Sequence, residues 1–519
     1  MIQTGPILQF LGCQSGVWGI SLLVICDADD PQPALRLKGA AELVDGRSGT
    51  VPGLSATAWR FDIAVKQTAA AQTVDYRVAG QDHQFQVPAL GATPAIAYFS
   101  CNGFSDARAR KTTRQPNAMW DRLDRLHRER DTVGDTRFGP LELLLMGGDQ
   151  IYSDEIWSVV DELRVWSGLD WHTRSTLPLT AGLRAALKKH FATCYLERWS
   201  QPATARLLAS VPSVMMWDDH DIIDGWGSHP ADLHASPVFQ GIFAAAREAF
   251  ELFQRQMLGA PPPATLPGQP SHHSAYRFGD TALLVLDTRS ERQPAHVRTT
   301  TDGATHLMPE QVISPTGWTA VYAWLDQQRA TGDLRHLLVM SSIPVMHPGY
   351  AQLERMLGAL PAIEELEDDL RDHWTSPAHQ AERLRLVHRL LDAAHSGVRI
   401  TMLSGDVHVA ATAVIERDQP DLPMPQRSLV QLTASGITHP APPGVARYFL
   451  EQACLETETL EPGITGRMDP LPGNGRRVLG CRNFLTLQAD PPGGQGRLWA
   501  NWWAEGEPQP MTQVIQPAR

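Results

Sequence analysis

Leu141-Glu142-Leu143-Leu144-Leu145-Met146-Gly147-Gly148-Asp149 decides how this chain is read. An apolar run of strand length ends in two glycines and a carboxylate. Such short continuous runs, closed by a turn signal, mark strands buried on both faces. The pattern recurs along the chain. Ala95-Ile96-Ala97-Tyr98-Phe99-Ser100 meets Cys101-Asn102-Gly103, and Ser213-Val214-Met215-Met216-Trp217 meets Asp218-Asp219-His220-Asp221. Ala282-Leu283-Leu284-Val285-Leu286 meets Asp287-Thr288-Arg289, and His336-Leu337-Leu338-Val339-Met340 meets Ser341-Ser342. Val398-Arg399-Ile400-Thr401-Met402-Leu403 meets Ser404-Gly405-Asp406. Helices are predicted between these strands over 117–131, 179–200, 238–258, 318–331, 351–370 and 378–396. Buried strands alternating with helices predict an α/β fold whose sheet layers are covered by helices, with functional groups at the carboxyl ends of strands.

Working outward, residues 1–92 carry strand-like runs such as Gly19-Ile20-Ser21-Leu22-Leu23-Val24-Ile25 and no helical period, so a small N-terminal β-sandwich domain is predicted. Residues 93–445 hold the recurring strand ends. Residues 446–519 end in Phe484-Leu485-Thr486-Leu487-Gln488 and Arg497-Leu498-Trp499-Ala500-Asn501-Trp502-Trp503, separated by Pro491-Pro492-Gly493-Gly494, which predicts a closing hairpin packed on the central unit. Proline-rich stretches at 261–270, 420–425, 440–443 and 462–474 read as surface loops. A chain of 519 residues has room for about three units at ~150 residues each.

Acidic residues number 57 against 45 basic ones, a formal net charge of −12, so bulk charge gives no attraction to nucleic acid or to an anionic membrane. No apolar run reaches the ~18 residues of a membrane span. The stretch Val17 to Cys26 lacks the basic flank of a signal peptide, since no Lys or Arg precedes Arg36. Six scattered cysteines form no C-x-x-C pair and read as reduced thiols, so a cytoplasmic setting is expected.

Cys101, Asp149, Tyr152, Asp219, His220, Asp406 and His408 stand at or just beyond the strand ends. Thiolate, carboxylate, phenolate and imidazole are all metal ligands, with hard oxygen donors in the majority. Successive motifs are separated by up to 187 positions, so strand ends of one sheet are expected to bring them together. A dinuclear site follows, in which a shared carboxylate bridges two ions that polarise a phosphoryl oxygen and supply hydroxide at neutral pH.

Gly147-Gly148-Asp149-Gln150-Ile151-Tyr152, Trp217-Asp218-Asp219-His220-Asp221, Leu286-Asp287-Thr288-Arg289 and Leu403-Ser404-Gly405-Asp406-Val407-His408, with Ser100-Cys101 before them, resemble in content and order the motifs of PhoD-like phosphatases. This is the alkaline phosphatase D group of the calcineurin-like metallophosphoesterases. The resemblance spans residues 93–445 and implies a two-layer β-sandwich core flanked by helices, a small preceding β domain, and metal-dependent hydrolysis of phosphate esters. It implies an iron-like ion on Cys101, Asp149 and Tyr152, with His408 a further ligand. It also implies a second ion, calcium in the first instance and otherwise manganese or zinc, on Asp149, Asp219 and Asp406. His220 would protonate the leaving alkoxide, and Arg289 would grip a phosphate oxygen. The superfamily's opening Asp-x-His is replaced here by Cys101-Asn102-Gly103.

Plainer readings stand beside these. Asp218 to Asp221 also fits a helix N-cap with an acidic first turn, and Arg289 also fits an ion pair with Asp287 or a neighbour. Asp154, Glu155 and Asp224 read as capping or solvated, His272-His273 as a solvated pair, and residues 364–369 as a solvated acidic face. Trp499, Trp502 and Trp503 read as packing. Neither Ser100 nor Ser404 sits in a G-x-S-x-G elbow, which leaves no serine nucleophile. The expected activity is phosphatase or phosphodiesterase action on a small phosphate ester. A non-catalytic relative that binds such esters is the rival.

Overall fold

The six predicted strands form at Ile96–Phe99, Leu143–Gly147, Ser213–Met216, Thr281–Leu286, His336–Ser341 and Arg399–Ser404. The structure, a computed structural model, describes residues 2–129, 132–133, 136–259, 261–299, 305–348, 372–491 and 493–519. The helix predicted over 351–370 and the acidic run at 364–369 lie outside these residues.

The fold is mixed α/β with two large sheets. In a ten-stranded sheet, Ile96–Phe99, Leu143–Gly147 and Ser213–Met216 run parallel side by side. In a nine-stranded sheet, Thr281–Leu286, His336–Ser341, Arg399–Ser404 and Ser428–Ala434 do the same. The predicted strand ends therefore come from two sheets, three from each, and not from one sheet as expected.

Side-chain alternation explains why the strands read as unbroken apolar runs. Leu143 and Leu145 share a cluster with Leu338 and Met340 of the other sheet. Their neighbours Leu144 and Met146 join a second cluster with Leu187, Phe191, Phe239 and Phe250 from helices. Leu337 and Val339 join a third with Trp318, Leu325, Leu386 and Leu390. Each strand is thus buried on both faces, and period 2 leaves no polar face to see.

The covering helices form at Ala118–Glu129, Ala181–Trp199, Pro237–Phe253, Pro315–Thr331 and Gln380–His395. Three begin at side-chain caps. Thr180, Ser236 and Ser314 accept from the backbone N–H groups of Leu183, Phe239 and Gly317 at 2.9, 3.3 and 3.0 Å. Proline follows Ser236 and Ser314 at the first helical position, where its missing N–H costs nothing.

The first 92 residues differ from the expected separate β-sandwich. Ile2–Gln14 meets Ser213–Met216 in parallel at Gln9 and Ser213, and Val17–Asp27, Ala56–Lys66 and Ala41–Thr50 continue the ten-stranded sheet beyond it. Only Leu35–Leu37, Gln72–Val78 and Gln81–Val87 form a sheet apart. The reason lies in Leu22-Leu23-Val24-Ile25. Leu22 and Val24 face the inter-sheet cluster while Leu23 and Ile25 face the helices, so the run is covered on both sides. At the other edge, the predicted hairpin forms as Asn483–Ala489 and Leu498–Ala504, pairing antiparallel with Ile96–Phe99 through Leu485 and Tyr98. Trp502 and Trp503 are buried there as packing. Among the described residues no helix is long and apolar enough to cross a membrane, and all six cysteines are free thiols.

Candidate metal centre

The strands turn sharply where they end. Eight non-glycine residues have positive φ among those described, and four of them are Cys101 at 57°, Asp149 at 52°, Asp406 at 69° and His408 at 53°. Each costs about 1–2 kcal/mol of backbone strain, a cost that persists only where the surroundings over-determine the conformation. Two glycines permit the close approach. A Cβ on Gly148, whose φ is 108°, would lie 2.9 Å from Asp218 Cβ, and one on Gly405 would lie 2.2 Å from Ser100 Oγ.

These turns deliver carboxylates from both sheets to one point. Asp149, Asp218, Asp219 and Asp406 each present an oxygen within 4.8 Å of the others, and a ring nitrogen of His220 falls equally close to Asp149 and Asp219. Beside them Cys101 Sγ and Tyr152 Oη each lie 3.4 Å from Asp149 Oδ2, and His408 Nε2 lies 3.1 Å from Tyr152 Oη. The predicted ligands Cys101, Asp149, Tyr152, Asp219, Asp406 and His408 are therefore neighbours, joined by Asp218.

The second feature is His220. Its Nδ1 lies 2.6 Å from Asp154 Oδ2, and its ring stacks on Tyr152 with centroids 4.3 Å apart. Burial alone would depress the imidazole, but the Asp154 and Asp219 carboxylates overcome it and hold His220 well above its usual range. Asp154 is thus an orienting partner, not the cap or solvated group that was expected. Its other oxygen accepts from Asp224 N at 2.8 Å.

Arg289 does not stand free to grip phosphate. Its side chain is fully buried and its guanidinium contacts Asp218, Asp219 at 3.3 Å, and Asp372, while Nη1 also donates to the Trp226 carbonyl at 3.2 Å. Every face of the fork is taken. The pair with Asp287 runs through the Arg289 backbone N–H, not the side chain. The His272-His273 pair is also corrected: the rings are only 6% and 0% exposed, and His273 Nδ1 accepts from Asp287 N at 2.9 Å. The capping reading of residues 218–221 is the one visible in the backbone. Asp218 and Asp221 close a capping box around a single 3₁₀ turn, which leaves Asp219 and His220 facing the cluster.

A family model described as PhoD related phosphatase matches residues 57–360 and 349–456. The chain belongs to the PhoD related phosphatase family. An uncharacterized protein of Saccharomyces cerevisiae, YGR266W, is 25% identical over 511 residues, covering 82% of this chain and 69% of that protein. A solved structure, described as the structure of PhoD, shares the fold with a TM-score of 0.57 at 13% identity, over 98% of this chain and 90% of that one.

The centre of this family member fits metal ions on its own chemistry. Asp149 Oδ1 and Asp218 Oδ2 are buried without a hydrogen-bond partner among the described residues. Two ionised carboxylates 4.8 Å apart, the widest spacing in the cluster, repel by about 3–4 kcal/mol at an effective dielectric near 20, and the single charge of Arg289 offsets only part of the charge of four. Burial pushes the Asp149 carboxyl well above its usual range, with His220 opposing. Burial also pushes Asp218 up to about 8, against Arg289 and helped by Asp219 and Asp406. Burial and then the Asp149 charge push the Cys101 thiol up, and burial does the same to the Tyr152 phenol. Burial and the charges of His439 and His220 keep His408 neutral, the form that ligates.

Some residues at the centre carried weaker sequence signals. Ser435 Oγ lies 3.1 Å from Cys101 Sγ and accepts from His408 N at 3.0 Å, and the His439 ring stacks on His408 at 3.6 Å. Both follow the strand Ser428–Ala434, whose apolar run into Ser435-Gly436 repeats the signature of the other strand ends. His373 Nε2 lies 2.6 Å from Asp406 Oδ2, and Asp372 joins Arg289 to Arg292. Nothing in the local sequence of these two residues points to the centre.

Proposed function

We propose that this chain hydrolyses small phosphate esters with two metal ions held at the meeting of its two sheets. The observation that carries this reading is the group of buried Asp149, Asp218 and Asp219 with half-buried Asp406, two of whose oxygens have no hydrogen-bond partner among the described residues. Cys101, Tyr152 and His408, with Asp149, would hold an ion that accepts soft and anionic donors, such as iron. Asp219 and Asp406, again with Asp149, would hold a hard cation such as calcium, manganese or zinc. Bound ions supply Lewis acidity toward a phosphoryl oxygen and bring the pKa of water toward neutrality. Around them the fold acts as a metallophosphoesterase-type sandwich of two sheets between helices.

The protein's own groups do the rest. His220, kept protonated by Asp154, holds a proton at Nε2 for the departing alkoxide. Arg289 sets the spacing of Asp218 and Asp219 and offsets their charge. The six free thiols support a cytoplasmic setting, and the formal net charge of −12 supports a small-molecule substrate over nucleic acid.

The test is turnover of 4-nitrophenyl phosphate and bis(4-nitrophenyl) phosphate by the purified protein, by its Asp149→Ala variant, and after chelation. We expect one ester to be preferred, activity to vanish with chelator and return with metal, and the variant to be inactive. Near-normal turnover by Asp149→Ala contradicts the assignment.

A further inference from the structure

A cavity beside the centre takes no part in the chemistry above. It measures about 520 Å³ and is walled by Phe104, Ile151 and Tyr152 together with Arg110, Glu155 and Arg198. It adjoins the centre through two of these walls. Tyr152 reaches Asp149 with its hydroxyl, and Phe104 follows Cys101 by three residues.

Arg198 is the unusual group. It sits in the last turn of the helix Ala181–Trp199, half-buried, with its guanidinium 5.8 Å from the centre of the Phe104 ring. Among the described residues its guanidinium makes no hydrogen bond or ion pair. Glu155 is already engaged with Arg110 at 3.4 Å, and Glu197, exposed on the same helix, makes no ion pair with it. Burial, first, and the like charge of Arg110 disfavour the Arg198 cation, and the charge of Glu197, which also lines the cavity, only partly opposes them. A half-desolvated guanidinium held against an aromatic ring, facing a cavity and lacking an anion, lacks the partner that such a group normally has.

We propose that this cavity receives the alcohol part of the phosphate ester, and that Arg198 pairs with a second oxyanion carried on it. The substrate class is then an organic phosphate with a flat or apolar body and a further carboxylate or phosphate. Phe104, Ile151 and Tyr152 cover the body, and the guanidinium fork binds the oxyanion in a charge-assisted pair. This inference rests on the hydrolase reading.

The test compares 4-carboxyphenyl phosphate with its neutral isostere 4-carbamoylphenyl phosphate, using the wild type, Arg198→Gln and Arg198→Lys. The two esters differ in one charge and little in leaving-group chemistry. We expect kcat/KM in the wild type to favour the carboxylate by about tenfold or more. That ratio should approach one in Arg198→Gln and persist in part in Arg198→Lys. Hydroquinone bisphosphate, run alongside, shows whether a second phosphate serves as well as a carboxylate. A wild-type ratio near one for both charged esters, or a ratio unmoved in Arg198→Gln, overturns the proposal. A merely structural Arg198 would lower both rates and leave the ratio alone. Calorimetric binding of 4-carboxyphenylphosphonate and 4-carbamoylphenylphosphonate separates this inference from the reading beneath it. Arg198-dependent discrimination in binding without turnover of any ester removes the hydrolase and keeps the cavity. Turnover without discrimination does the reverse.

Discussion

His220 and Asp154 show what individual residues do at this centre. The 2.6 Å contact fixes the ring with Nδ1–H donating to the carboxylate and favours the doubly protonated form, whose transferable proton is on Nε2, so Asp154 acts through His220 and is a positioning residue. A proton donor matters most where the departing alkoxide is a poor leaving group. Asp154→Asn should therefore slow phenyl phosphate by about 10²-fold, the lower end of what general acid catalysis contributes, and slow 4-nitrophenyl phosphate much less. Equal losses on both esters would make Asp154 a structural residue only. Asp154 also marks the limit of what local sequence shows. It sits five residues beyond Asp149 in the same loop and looks like any acidic residue after a motif. Cys101, Asp149, Asp219, Asp406 and His408 were legible because each stands at the end of an apolar strand. Asp372 and His373 were not, because only tertiary packing brings them to Arg289 and Asp406.

At the scale of elements, the strand Leu143–Gly147 was legible from its apolar run, whereas the sheet it belongs to was not. A run buried on both faces fits either of two stacked sheets, and only pairing partners tell them apart. The entry to this strand also carries a titrating group. Burial pushes the Glu142 carboxyl up to about 7, against the backbone N–H of Ala95, which it accepts at 2.8 Å. A carboxyl with a folded pKa above its unfolded value near 4.5 favours the fold when protonated. Its contribution is complete below about 4.5 and is lost as the pH rises through about 7. Urea midpoints of the wild type should therefore fall between pH 5 and pH 8 relative to those of Glu142→Gln. Parallel midpoints across that range would show that Glu142 is ionised in the fold without penalty.

Over the whole molecule, both chain ends are built into one sheet. The N-terminal strands join it beyond Ser213–Met216, and the C-terminal hairpin joins it beside Ile96–Phe99. The seam is also hydrogen-bonded, with Gln9 Nε2 donating to the Gln254 carbonyl at 2.9 Å and Ser21 Oγ to Gln256 Oε1 at 2.7 Å. The change of sequence style near residue 92 therefore does not mark an independent unit. A fragment of residues 93–519 would expose an unpaired strand edge and the apolar surface beneath it. We expect that fragment to be insoluble or to lack a cooperative thermal transition by circular dichroism, while the full chain shows one. A soluble, cooperatively folding fragment would restore the separate N-terminal domain.

The metal-bearing carboxylate cluster is the claim on which the functional reading depends, and elemental analysis of protein purified without chelator tests it most directly. We expect one to two equivalents of metal in the wild type and a large loss in Asp149→Asn, whose side chain keeps its shape and loses its charge. Wild-type protein that stays metal-free after exposure to iron, calcium, manganese and zinc, or an Asp149→Asn variant that retains the full complement, would contradict it.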